Sequence, residues 1–305
     1  MKNKKLTIAL ATAAAVISLG GLSACSSNSA NKDIVTLKGD TITVTDFYNE
    51  AKEFPAQTSQ QVLTNLTFTK IFEKEFGKEV TDKTVQAEVD KYKKQYGDQF
   101  ASVLQQSNLT TENFKDFEKT QLLAQAAIKD DIKKTQYTDA NLKSVWATYH
   151  PEVEAIVLSK TSKDDAQKAI DANKANASKF DSDNAKSKMT FDSGTDKVPA
   201  EVLAKTFSLA NGKMSDVITA TNTSTGASEY YVVKMIKTSE KGKDMNKYKK
   251  ELENIIQTQK LADSSYTMSV IGKYLKQYNV TVKDQAFQNI FSNYTGTSSS
   301  SSTSK

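Results

Sequence analysis

The chain has 305 residues, 38% hydrophobic and 25% charged, with 41 basic against 36 acidic side chains, one Cys, one His and three Pro. With only His150 and Cys25 to draw on, no cage of imidazole or thiolate ligands can hold a metal, and any Ser-His-Asp triad would depend on His150. Every basic side chain is lysine, so the planar guanidinium fork that reads guanine and phosphate is absent and no nucleic-acid partner is expected.

Met1 to Lys5 is short and basic, Leu6 to Gly20 is apolar, and Leu22-Ser23-Ala24-Cys25 follows. These are the zones of a secretory signal, too short to span a bilayer. Leu22-Ser23-Ala24-Cys25 resembles the bacterial lipobox, which is cleaved before the cysteine. That resemblance makes Cys25 an N-acyl (palmitate), S-diacylglycerol cysteine, and it accounts for the chain's one thiol lying at the cleavage point. Removing residues 1–24 takes away Lys2, Lys4 and Lys5 and leaves 38 lysines against 36 acids, a balance of +2. Residues 25–32 read as a polar tether.

From Asp33 to Val44 the alternation of Val35, Leu37, Ile42 and Val44 predicts two short strands around Lys38-Gly39-Asp40. The period then becomes helical. Thr45 is the expected first cap; Thr58 to Phe76 carries Val62, Leu63, Leu66, Ile71 and Phe72 on one stripe, and Gly77 ends it. Thr81 to Tyr96, Thr111 to Lys134 and Thr138 to His150 repeat the pattern, so residues 33–150 read as a helical arm. His150, before Pro151, is expected to cap the end of the preceding helix. Phe47, Phe54, Phe68 and Phe72 are the candidates for a surface that holds unfolded client segments, set against service as core.

Val153 to Leu158 predicts a buried strand, Lys163 to Asn173 and Pro199 to Leu209 helices, and Val217-Ile218 and Tyr230 to Ile236 further strands. Residues 151–241 therefore form an α/β module. Lys243 to Tyr278 returns to helix within a C-terminal arm, 242–292, that packs on the first part, and 293–305 is a Ser/Thr tail too polar to fold. Neither a phosphate-binding G-x-x-x-x-G-K-[ST] nor a dinucleotide G-x-G-x-x-G is present, so no cofactor is expected. The S-x-x-K at Ser29–Lys32 and the S-D-N at Ser182–Asn184 lack the setting of a penicillin-recognising serine enzyme, and no K-T-G follows. The lysines from Lys241 to Lys250 could face an anionic wall polymer or lipid, or simply solvent.

Three segments carry a wider resemblance: Thr138-Asp139-Ala140-Asn141-Leu142 leading into Pro151-Glu152-Val153, Leu209-Ala210-Asn211-Gly212-Lys213-Met214-Ser215-Asp216, and Tyr230-Tyr231-Val232-Val233-Lys234-Met235. With the lipobox and the flanking arms, the chain resembles the PrsA family, the extracytoplasmic foldase lipoproteins of Gram-positive bacteria. The resemblance implies an α+β fold: a helical, SurA-like chaperone domain built from both flanks, with an inserted parvulin-like domain. It implies a membrane-anchored peptidyl-prolyl cis/trans isomerase and chaperone, located at the outer face of the membrane, whose partners are unfolded or newly secreted proteins. Relatives of this kind can dimerise, which this sequence leaves open.

The family's two catalytic histidine positions fall on Ala155 and Tyr231, and its proline pocket on Met189, Val198, Val202 and Tyr231. Residues 151–241 contain no histidine. Rotation about an X-Pro bond breaks no covalent bond, so isomerisation through desolvation stays open beside a non-catalytic holdase and, third, a solute-binding lipoprotein. The last needs two doubly wound lobes, which the helical first half does not supply.

Overall fold

A computed structural model describes residues 31–221 and 227–296. The signal segment, Cys25 and the tail beyond residue 296 lie outside them. The chain forms two compact units, one built from residues 137–256 and the other from the chain before and after that insert. The fold class is α+β, as expected. None of the described helices is long and apolar enough to cross a membrane.

The helical unit opens with β1 (Asp33–Leu37) and β2 (Asp40–Thr43), an antiparallel hairpin. Five helices follow: α1 (Val44–Glu53), α2 (Ser59–Phe76), α3 (Asp82–Tyr96), α4 (Phe100–Gln106) and α5 (Thr111–Thr135). Thr43, Thr58, Thr81 and Thr110 each accept the amide hydrogen bond that starts a helix. The first cap is Thr43, not Thr45. Three residues beyond Thr43 stands Asp46, whose carboxylate accepts from the Thr43 amide at 2.9 Å while the Asp46 amide donates to Thr43 Oγ1 at 3.2 Å. Three residues beyond Thr45 stands Tyr48, which has no carboxylate to return the bond.

Facing stripes on α2 and α5 build the main core: Leu63, Phe68, Ile71 and Phe72 pack with Leu123, Ala127 and the strand residues Val35 and Ile42. A smaller cluster joins Val89, Phe100, Leu104 and Phe114. Periodicity missed α4, because a helix of two turns offers only Phe100 and Leu104 as signal.

The inserted unit runs α6 (Asp139–Thr148), β3 (Val153–Lys160), α7 (Lys163–Ala175), α8 (Ala177–Asp183), β4 (Lys188–Phe191), α9 (Ala200–Thr206), β5 (Ile218–Thr221), β6 (Ser228–Lys237) and the first half of α10 (Lys249–Ala262). Its strands form an antiparallel sheet in the order β4-β3-β6-β5. Strand alternation makes two apolar faces. One gathers Val153, Ala155, Phe191, Ile218, Ala220, Val233 and Met235 against Val202 of α9. The other gathers Ile156, Leu158 and Val232 against Ala166 and Ile170 of α7 and Phe180 of α8. On that second face Lys234, 3% exposed, pairs with Asp181 at 2.5 Å and lies over the Phe180 ring, which satisfies a buried ammonium.

This grouping runs wider than the 151–241 span read from the sequence, and side-chain packing explains why. Trp146 of α6 stacks on Tyr248 at 5.6 Å and on Tyr149 at 6.0 Å, with Lys241 over its ring. Gly194 sits so close to Ile255 of α10 that a Cβ there would lie 2.4 Å from the isoleucine side chain.

Beyond the insert, α11 (Ser264–Gln277), β7 (Thr281–Val282) and α12 (Ser292–Thr295) complete the helical unit. The single helix expected from Lys243 to Tyr278 is broken at Asp263, whose carboxylate caps α11 through the Tyr266 amide. Asp131 of α5 then accepts from Tyr266 Oη at 2.6 Å and Lys273 Nζ at 3.0 Å, tying α11 to α5. These bonds hold the Asp131 carboxyl below its ordinary value even though burial acts to raise it. β7 pairs with β1, and the chain stays folded through Gly296 rather than ending at 292. Tyr294 lies edge-on to Phe68 at 5.4 Å, and Gly272 lets the Tyr294 carbonyl approach where any side chain would collide.

Glu118 of α5 is 6% exposed, and burial together with nearby Glu88 pushes its carboxyl up to about 7. The folded state therefore holds a proton that the unfolded chain releases at its ordinary value. This contribution is unpenalised below about pH 4.5, falls as pH rises toward 7, and stays low above. Urea denaturation at pH 4 and pH 8 is expected to show Glu118→Gln more stable than the parent at pH 8, by on the order of 1–3 kcal/mol, and no advantage at pH 4.

Candidate functional site

The residues singled out around the sheet converge on one face of the inserted unit. Ala155, Val198 and Val202 are buried in its core cluster, and Met189 and Tyr231 pack against that cluster partly exposed. Register explains the positions. Ala155 of β3 stands opposite Met189 of β4 and Met235 of β6, whereas Tyr231 stands opposite Ser159 of β3 and Ile218 of β5. Ala155 and Ser159 are four strand residues apart, about 13 Å, so Ala155 is deep and central while Tyr231 is at the rim. Tyr230, the next residue, points to the opposite face and packs with the α7 and α8 cluster.

A polar group is built at this rim. Tyr231 Oη donates to Glu229 Oε2 at 2.6 Å, and Ser159 Oγ reaches the same oxygen at 3.5 Å. Burial and then the bond to Glu229 raise the Tyr231 phenol above its ordinary value, and Glu201 of α9 adds its charge in the same direction. The phenol stays a neutral hydrogen-bond donor at neutral pH. The arrangement offers an apolar floor, a thioether from Met189 and a phenol oriented by a carboxylate. It can bind and desolvate an apolar peptide group. Among the described residues no three metal-ligating side chains come together.

At the other end of β3, His150 does not cap α6. That helix ends at Thr148 with Tyr149 at its cap, and the His150 ring stacks on Phe207 at 4.8 Å with an interplanar angle of 14°. Ser193 holds the His150 backbone on both sides, accepting its amide hydrogen bond at 2.8 Å and donating to its carbonyl at 3.1 Å. Phe207 borders the same apolar cluster. The stacking joins two residues far apart in sequence, and no local pattern marked it.

In the helical unit, Phe54, Phe68 and Phe72 are buried, at 5%, 1% and 0% exposure, and serve as core. Phe47 keeps partial exposure beside Phe287 at 5.7 Å. Among the described residues, Tyr48 of α1 is the large hydrophobic side chain that stands exposed, at 62%. Sequence reading passed over it because its neighbour Phe47 carries the helical stripe.

No family model matches the chain. It is 56% identical over 99% of its length, and over 99% of the relative's, to a foldase protein PrsA of Lactococcus lactis subsp. lactis. It is 40% identical, over 97% of its length and 98% of the relative's, to a foldase protein PrsA of Streptococcus pneumoniae. A crystal structure of the Lactococcus lactis foldase superposes with a TM-score of 0.77 at 57% identity, covering 87% of this chain and 99% of that one. The Streptococcus pneumoniae foldase structure does so with a TM-score of 0.68 at 38% identity, covering 86% and 100%.

Val202 is fully buried between α9 and the sheet, so its first role is packing. Val202→Ala is expected to lower stability by roughly 1–3 kcal/mol in chemical denaturation. Met189→Ala, at a partly exposed site, is expected to cost less than half of that.

Proposed function

The chain belongs to the PrsA family of foldases, and on that premise we propose that it binds newly exported proteins at the outer face of the membrane and assists their folding by isomerising X-Pro bonds. The observation that carries this reading is the 56% identity to a foldase along 99% of both chains. Cys25, in a lipobox-like setting, is the lipid anchor of the proposal. A diacylglycerol with an N-acyl chain contributes about 0.8 kcal/mol per buried CH2 and holds the foldase where clients emerge.

The proposed catalytic surface is the α9 face of the sheet, with Tyr231 at its rim and Met189 beside the deeper Ala155. The barrier to X-Pro rotation, about 20 kcal/mol, comes from amide resonance, and the twisted amide is less polar than the planar one. An apolar floor that removes water from the amide therefore favours the twisted form, and no proton transfer is required. Tyr231 Oη gives its single proton to Glu229, so toward a client it is the group that would accept from a backbone N–H beside the proline and hold the segment on the sheet. The sealing of Ala155, Val198 and Val202 inside the core favours a second reading, in which the unit binds clients without catalysis.

The two readings separate in a proline-limited refolding assay and an X-Pro tetrapeptide assay with the full mature chain. Catalysis predicts acceleration in both, reduced about tenfold or more by Tyr231→Phe, with aggregation suppression unchanged. A rate equal to the uncatalysed one, with aggregation still suppressed, would leave the holdase. For the anchor, Cys25→Ser is expected to move the protein from the membrane fraction to the medium and to abolish incorporation of labelled palmitate.

A further inference from the structure

The inserted unit carries its charge unevenly. Between Lys237 and Lys250 there are six lysines, Lys237, Lys241, Lys243, Lys247, Lys249 and Lys250, against Glu240 and Asp244. All six except Lys241 are exposed. The fold uses little of this charge. Lys249 approaches Glu253 only at 3.9 Å, and among the described residues Lys237, Lys243 and Lys250 make no ion pair or side-chain hydrogen bond. Uncompensated like charges close together repel, so this crowding adds nothing to stability.

Two of these lysines lie against a pair of aromatic rings. Lys241 Nζ lies 4.2 Å from the centroid of Trp146, the Trp146 and Tyr248 rings stack at 5.6 Å, and Lys247 Nζ lies 5.4 Å from the centroid of Tyr248. Both rings keep partial exposure. We infer that Trp146, Tyr248 and Lys247, together with the exposed lysines of the same segment, Lys243 and Lys250, bind a linear, phosphate-bearing polyanion. Lysine suits this partner: it meets phosphate as a point charge and, without the guanidinium fork, discriminates little between polymer sequences. A bilayer is the poorer occupant, because interfacial binding needs apolar side chains to insert, and among the described residues the exposed large hydrophobic one, Tyr48, lies in the other unit.

Trp146 is the chain's only tryptophan, so its fluorescence reads the surface directly. The full mature chain carrying Cys25→Ser, so that no lipid contributes, is titrated with long-chain inorganic polyphosphate and, separately, with phosphatidylglycerol vesicles. The expected result is a saturable change in Trp146 emission with polyphosphate, weakening by a factor on the order of 50 between about 50 and 200 mM salt, the dependence for about four phosphates on a flexible strand. Combining Lys243→Gln, Lys247→Gln and Lys250→Gln is expected to weaken binding at least tenfold with an unchanged thermal midpoint. The same charge change at Lys163, Lys186 and Lys197 should weaken it less than threefold. Binding that is absent at low salt, equal loss in the two triple variants, or a response to vesicles without one to polyphosphate would each overturn the inference.

Discussion

The pairing of β3 with β6 is the contact on which the organisation of this chain depends. It places Glu154 beside Lys237, so the first and last strands of the insert begin and end side by side. An insert whose ends meet can interrupt another fold without stretching it, because the interrupted chain leaves and returns at nearly the same point. The helical unit meets the complementary condition through Asp131 of α5, which holds Tyr266 and Lys273 of α11, and through β7 on β1. Each unit therefore closes on itself through contacts distant in sequence. Such contacts carry a loop-closure cost that grows slowly with loop length, and burial of the two cores offsets it.

Around that pairing the inserted sheet separates two tasks by face. The α7 and α8 face is packing throughout, including the Lys234–Asp181 pair, whose cost lies in desolvation and whose value lies in leaving no buried charge alone. The α9 face is packed at its centre and polar at its rim, where Tyr231, Glu229 and Ser159 meet. On these strands an alanine lies at the centre and a tyrosine at the edge. Ala155 fills a position with Met189 and Met235 on either side, where a larger polar ring would need both room and hydrogen-bond partners. Tyr231 keeps a hydroxyl, bonded to Glu229, where the strand reaches solvent.

The aromatic residues divide in the same way. Phe68 and Phe72 are covered by Tyr294, Phe291 and Tyr274, arriving from the far end of the chain, whereas Phe47, beside Phe287 of the same stretch, keeps partial exposure. Whether a phenylalanine belongs to core or surface was decided by a segment about 200 residues away.

What the sequence determined by itself was what depends on near neighbours. Threonine caps, helical stripes and the strand alternation that sends Tyr230 and Tyr231 to opposite faces all follow from spacing and local pattern. Short elements such as α4, α8, β4 and β7 escaped because a few residues carry too little period to be distinguished from loop. Only tertiary structure decided that His150 stacks on Phe207 instead of capping a helix, that Ala155, Val198 and Val202 are sealed within the core, and that Trp146 and Tyr248 gather lysines around themselves. Burial and stacking are properties of surfaces brought together by the whole chain, and no window of sequence contains both partners.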